Sequence, residues 1–141
     1  MPFKTAVLAY LASIDSDSDD YRALDYLVKN ALGSSKSKGW PKIKEFAGID
    51  TEEYKQHDFQ NGVLALSRQN KFFICSNNKG YYIPENENDI KVAKQYYESR
   101  IETMLTNLKH LRTVAIEGYP AIEFKSVEAW LEEVVARLQD E

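Results

Sequence analysis

Residues that form covalent crosslinks, metal sites and catalytic centres are scarce in this sequence. Cys75 is the only cysteine, so no internal disulfide bond can form, and such a chain is typical of the cell interior. The two histidines, His57 and His110, are isolated, and no zinc-ligand spacing is present. The six glycines are scattered and form no phosphate-binding loop. We therefore expect no metal, no cofactor and no catalytic residues, and we predict that the protein is not an enzyme.

Long hydrophobic runs are also missing. The first eleven residues are too short and too polar for a membrane span, and they lack a basic leader with a cleavage site. What remains is an ordinary globular composition, with 43% hydrophobic and 28% charged residues in 141 residues, the usual size of one domain. We expect a cytoplasmic protein that does not bind membranes.

The charge of the chain is distributed unevenly. The total is −4, yet the segment between Gly33 and Tyr82 holds eight basic and five acidic residues, a net charge of +3, which leaves −7 for the rest. Such asymmetry indicates a basic face on an acidic protein.

Helical periodicity dominates the chain. Apolar residues recur at helical spacing in six segments, which are 3–14, 21–32, 40–47, 59–69, 88–114 and 127–138. The polar run 15–20 ends in residues that favour a helix N-cap, and Ser126 is a second candidate cap. Gly33 is a natural helix stop, and residues 33–39 are expected to form a flexible basic loop.

The period changes to that of a β-hairpin after Lys71. Residues 72–75 and 81–83 are rich in aromatic and β-branched side chains, and residues 76–80 have the composition of a turn. Pro84 ends the second strand because proline cannot donate to a strand ladder. A helix, a turn, a helix and then a hairpin with a basic tip is the order of a winged helix.

The residues that follow this order resemble a known family. The segment Ile74–Ile83 reads Ile-Cys-Ser-Asn-Asn-Lys-Gly-Tyr-Tyr-Ile, and a later helix carries Tyr96, Tyr97, Arg100 and Ile101. This pattern, over residues 40–112, resembles winged-helix proteins of bacteriophages and prophages. The segment 51–60 departs from the family pattern because it is longer and more polar than the corresponding segment usually is. The resemblance implies a nucleic-acid-binding protein with a regulatory or replication-associated role.

The fold expected from these patterns is mainly α with a small β-hairpin. It is a winged helix-turn-helix followed by a long helix and a C-terminal helix. We place the N-terminal helices and the winged-helix core in residues 1–84, and the long helix with the C-terminal helix packed on it in residues 85–141. Both parts are expected to form one structural domain.

The candidate residues for binding double-stranded DNA fall into three groups. Four lysines are expected to neutralise phosphates, namely Lys36, Lys38, Lys42 and Lys44. Side chains suited to base edges on the recognition helix are Gln60, Asn61, Arg68 and Gln69. The hairpin tip adds Asn77, Asn78 and Lys79. The alternative interpretation for each of these residues is a solvated surface side chain.

An alternative function uses the acidic part of the chain. A small acidic winged helix is also suited to binding or inhibiting a host protein, including by mimicry of nucleic acid. The working surface would then be formed by Asp15, Asp17, Asp19, Asp20, Glu85, Glu87 and Asp89.

The long helix leaves two interpretations open. From Tyr97 onward its apolar residues alternate steps of four and three, which is the rhythm of a helix-bundle seam. Residues 90–115 therefore either pack on the winged helix or form a homodimer, which would place two recognition helices on a palindromic site. The C-terminal helix is expected to pack on the long helix, with an exposed partner-binding helix as the alternative.

Overall fold

The computed structural model describes residues 2–49, 53–64 and 70–139. Within them the chain is mainly helical with one two-stranded antiparallel sheet, as the sequence predicted. The elements are α1 (Pro2–Leu11), α2 (Asp19–Asn30), a 3₁₀ turn (Ser34–Lys36), α3 (Trp40–Phe46), α4 (Gln56–Phe59), a π-helical turn (Gln60–Leu64), β1 (Cys75–Asn77), β2 (Gly80–Tyr82), α5 (Glu87–Gly118) and α6 (Val127–Gln139).

The backbone divides into two compact units, Met1–Tyr96 and Tyr97–Glu141. The division lies inside α5, twelve residues beyond the boundary expected after residue 84. The first unit has a continuous apolar core drawn from its helices and its hairpin. Its largest fully buried side chains are Tyr82, Phe59, Leu24, Leu27, Ile43, Ile74, Ile83, Val7, Val63 and Cys75.

Helix α2 begins where the polar run ends. The Ser18 hydroxyl accepts a hydrogen bond from the Tyr21 amide at 3.1 Å, and two aspartates occupy the first turn, where the helix dipole favours negative charge. The helix ends at Asn30. Gly33 then has a φ of +95°, which allows its amide to donate to the Ile83 carbonyl at 2.8 Å. The segment 33–39 is therefore tied to the hairpin and is not the free loop that we expected.

The hairpin is present, but β1 ends two residues later and β2 begins one residue earlier than the sequence indicated. Asn77 pairs with Gly80, so Asn78 and Lys79 alone form the turn. The expected strand 72–75 lies mostly before β1, and the side chains of Phe72 and Ile74 are instead part of the core.

The helix expected over residues 59–69 begins earlier, at Gln56. The Asp58 carboxylate accepts a hydrogen bond from the Lys55 amide at 2.8 Å and so stabilises this start. Gly62 is packed closely against Asp20, because a Cβ at this position would lie 3.0 Å from a carboxylate oxygen of Asp20. Residues 65–69 of the expected helix lie outside the described residues.

The second unit contains the end of α5 and all of α6. Ser126 caps α6 as predicted, since its hydroxyl accepts from the Ala129 amide at 3.2 Å. Lys109 forms an ion pair with Glu128 at 2.9 Å, and the Arg112 Nε donates to the Phe124 carbonyl at 3.1 Å. The later residue of α5, Arg112, contacts the earlier partner, Phe124, so the chain reverses direction and α5 and α6 run antiparallel.

Candidate nucleic-acid interface

The hairpin is joined to the start of α3 by backbone hydrogen bonds. The Lys38 amide donates to the Tyr81 carbonyl at 2.8 Å, and the Tyr81 amide donates to the Lys38 carbonyl at 2.9 Å. Strand β2 therefore has β1 on one edge and Lys38 on the other. Because α3 begins at Trp40, the hairpin and the first turn of α3 are held in a fixed relation.

Gly80 makes this arrangement possible. Its φ is +140°, and a Cβ on it would lie 2.3 Å from the carbonyl carbon and oxygen of Lys38. A side chain at this position would push the Lys38 backbone away from β2. The glycine of the family-like motif is thus required by the close approach of two backbone segments.

Only the tip of the hairpin is exposed. The Asn77 side chain is used within the fold, because its Oδ1 accepts from the Lys79 amide at 2.9 Å and its Nδ2 donates to the Ser34 carbonyl at 3.0 Å. Asn78 and Lys79 are exposed. Tyr82 is fully buried, so the hairpin is a two-residue tip on a core element and not a projecting ribbon.

The first turn of α4 is attached to the same hairpin. The side-chain amides of Gln56 and Gln60 both donate to the Tyr81 hydroxyl, at 2.9 and 3.1 Å. The Tyr81 ring is 6% exposed and meets Phe59 edge-on, with 5.1 Å between ring centroids. Gln60, expected to contact a base, therefore also orients α4 against β2. Gln56 was not among the predicted contacts, although its spacing of four from Gln60 puts both on one helix face.

The remaining recognition-helix candidates have different placements. Asn61 is exposed, with its Nδ2 2.9 Å from the His57 Nε2. Arg68 and Gln69 lie outside the described residues. A cleft of about 300 Å³ joins the hairpin tip to the starts of α3 and α4, and it is lined by Gly39, Trp40, Pro41, Gln56, Ser76, Asn77, Asn78, Lys79, Gly80, Tyr81 and Tyr96.

The four candidate lysines do not form one group. Lys38 and Lys42 line a shallow depression together with Tyr26, Asn30 and Phe46. Lys36 is exposed on the 3₁₀ turn, whereas Lys44 is half-buried and points about 200° around α3 from Lys42. In the described part of the chain, the four ammonium groups have no ion pair.

Two other cations of the first unit have acidic partners on their own helix. On α2, Arg22 pairs with Asp19 and Lys29 with Asp25, both at 2.9 Å. These pairs at spacings of three and four neutralise both cations of α2 and leave the helix with a net charge of −1. Lys38 and Lys42 form no such pair within the described residues, so no neighbouring carboxylate neutralises their charge beside the hairpin.

A buried carboxylate anchors the segment that carries these lysines. Asp89 is 5% exposed, and its oxygens accept from the amides of Ser34 and Glu85 at 3.0 and 2.9 Å. Burial alone would raise the pKa of Asp89, but hydrogen bonds from the Ser34 hydroxyl and from backbone amides outweigh it and lower the pKa. The Tyr82 hydroxyl donates to the Asp89 carbonyl at 2.9 Å and completes the anchor.

The chemistry of the other reactive groups is limited. Burial raises the pKa of Cys75 to about 12, so its sulfur stays protonated at neutral pH. Among the described residues no three His, Cys, Asp or Glu side chains cluster as metal ligands. None of the described helices combines the length and the apolar character that crossing a bilayer requires.

Comparison of the chain with protein-family models, with curated proteins and with solved structures returned no match.

Proposed function

We propose that the first unit binds double-stranded DNA as a winged helix-turn-helix, in the regulatory or replication-associated class that the resemblance implies. In this arrangement the segment formed by α4 and the π-helical turn, which carries Gln60 and Asn61, enters the major groove. The hairpin tip contacts the DNA backbone, and Lys38 and Lys42 neutralise phosphates. The observation that carries the proposal is the order of β1, β2 and Lys38 across the hairpin, which sets the tip beside the starts of α3 and α4.

The distribution of charge supports a polyanionic ligand at this place. Lys38 and Lys42 flank an aromatic surface and have no carboxylate partner in the part of the chain that the structure describes. Lys79 is exposed at the tip. Phosphate contacts supply most of the affinity of such proteins, and a basic patch within an acidic chain restricts binding to one face.

The acidic alternative has less support. Of its seven carboxylates, Asp89 is buried, Asp19 pairs with Arg22, and Asp20 accepts a hydrogen bond from the Tyr54 hydroxyl. Asp15 accepts from the Asp17 amide at 3.0 Å. Carboxylates that are already engaged offer a weaker surface to a basic partner than free ones do.

The test is the salt dependence of binding. A labelled random-sequence duplex is titrated with the protein between about 50 and 200 mM salt, and fluorescence anisotropy gives Kd. The double variant Lys38→Gln/Lys42→Gln should bind more weakly, and the slope of log K against log salt should fall by about 2, because each lost phosphate contact removes about 0.9.

The matched control is Lys4→Gln/Lys91→Gln, which removes the same charge from α1 and α5, outside the cleft and the depression beside the hairpin. It should leave the slope unchanged. Absence of binding by the parent protein at the lowest salt, or an equal effect of the two double variants, would overturn the proposal.

A further inference from the structure

The second unit has almost no core of its own. Among its described residues only Val127 is buried, although the unit spans 45 residues. Leu105, Leu108, Leu131 and Val134 are half-buried. A helical hairpin of this size cannot bury enough apolar area to be stable alone, and units near this size usually need oligomerisation or a crosslink.

Several of the exposed apolar residues of this unit lie on one face. Ile101, Met104 and Leu111 of the predicted seam are 57%, 67% and 53% exposed. At 100° per residue, Met104 and Leu111 lie to one side of the α5 surface that meets α6. The Lys109–Glu128 ion pair lies on the opposite side of both helices, so Trp130, which is 39% exposed, lies on the same side as Met104 and Leu111.

We propose that this face, Ile101, Met104, Leu111 and Trp130, binds the same face of a second copy of the chain to form a four-helix bundle. The inference does not depend on the proposed function, because none of these residues belongs to the DNA site. The seam has the alternation of three and four residues that fits bundle packing.

The area of the face suits a second copy. Each of the four side chains leaves about 100 Å² of apolar area uncovered, or about 400 Å² per copy. Homodimer interfaces are about 65% apolar, so about 400 Å² of apolar area corresponds to a total buried area of about 600 Å² per copy once the polar rim is included. This total is near the lower limit of a stable interface. A two-fold contact buries all of it with one self-complementary surface.

The experiment measures the mass of the full-length protein by light scattering and by sedimentation equilibrium over a wide concentration range. The parent protein should have twice the 16.2 kDa chain mass. In the variant Met104→Glu/Leu111→Glu, four carboxylates would be buried without partners, and Kd for dimerisation should rise at least 100-fold.

The matched control is Ile116→Glu/Val135→Glu, which alters exposed apolar residues on the opposite side of the α5–α6 pair. This variant should remain a dimer, and circular dichroism should show equal helix content in both variants. A parent protein that stays at the monomer mass at every concentration overturns the proposal without any variant. So does a dimer that survives Met104→Glu/Leu111→Glu.

Discussion

The two units of this protein differ in how much apolar surface they cover themselves. Of the nineteen apolar residues buried in the described part of the chain, eighteen belong to Met1–Tyr96 and one to Tyr97–Glu141. The first unit joins helices to a hairpin, so contacts come from several directions. The second has two helices, which leave one side of each without cover. Stability in the first unit is therefore internal, whereas in the second it depends on what its exposed face binds.

The largest test of this contrast is Phe59→Ala. Phe59 is fully buried and contacts the rings of Trp40 and Tyr81, so its removal should lower the free energy of unfolding by about 3–5 kcal/mol, as measured by urea denaturation. Phe46→Ala, at a ring that is 64% exposed, is the control and should cost less than about 1 kcal/mol. If Leu105→Ala in the second unit cost as much as Phe59→Ala, the contrast would fail.

A pair of glycine variants sharpens the comparison. Gly80→Ala combines a positive φ with a backbone clash and should cost about 2–4 kcal/mol. Gly118→Ala, at the end of α5 with open space around it, should be neutral or stabilise by up to about 1 kcal/mol. Thermal unfolding of both variants gives the difference. Equal effects would mean that Lys38 does not approach β2 as closely as described.

The smallest expected effect is that of Asp89→Asn, and it depends on pH. Folding lowers the pKa of Asp89, so the stabilisation is complete above the unfolded pKa of about 3.9 and is lost as pH falls through the folded value. The variant should lose about 2 kcal/mol at pH 7, because buried amides lose a charged acceptor. Urea denaturation at pH 7 and at about pH 3 should show this deficit shrinking in acid. A deficit independent of pH would contradict the assignment.

Local patterns predicted most of the elements. Apolar periodicity indicated α1, α2, α3, α5 and α6, and Ser126 was identified as a cap because capping is a contact over three residues. The turn of the hairpin was predicted three residues too long. Asn77 and Gly80 form the last pair of the ladder because their partners, Ser34 and Lys38, come from a distant segment. No local pattern contains that information.

The candidate site was predicted less completely for the same reason. Chemical type identified Gln60 as a polar contact, but its bond to Tyr81 joins residues 21 apart in sequence. The lysines were grouped by their nearness in sequence, and helical geometry then separates Lys42 from Lys44. The close approach of Asp20 to Gly62 is likewise a contact that no pattern within that helix could reveal.

The paired hydrogen bonds between Lys38 and Tyr81 have a mechanical consequence. They hold the tip of the hairpin and the first turn of α3 together as one rigid unit. If a duplex binds as proposed, the distance between the hairpin tip and α3 cannot change. Any adjustment of groove width must then come from the nucleic acid. Sequences that deform at little cost would then be favoured, even at base pairs that no side chain touches.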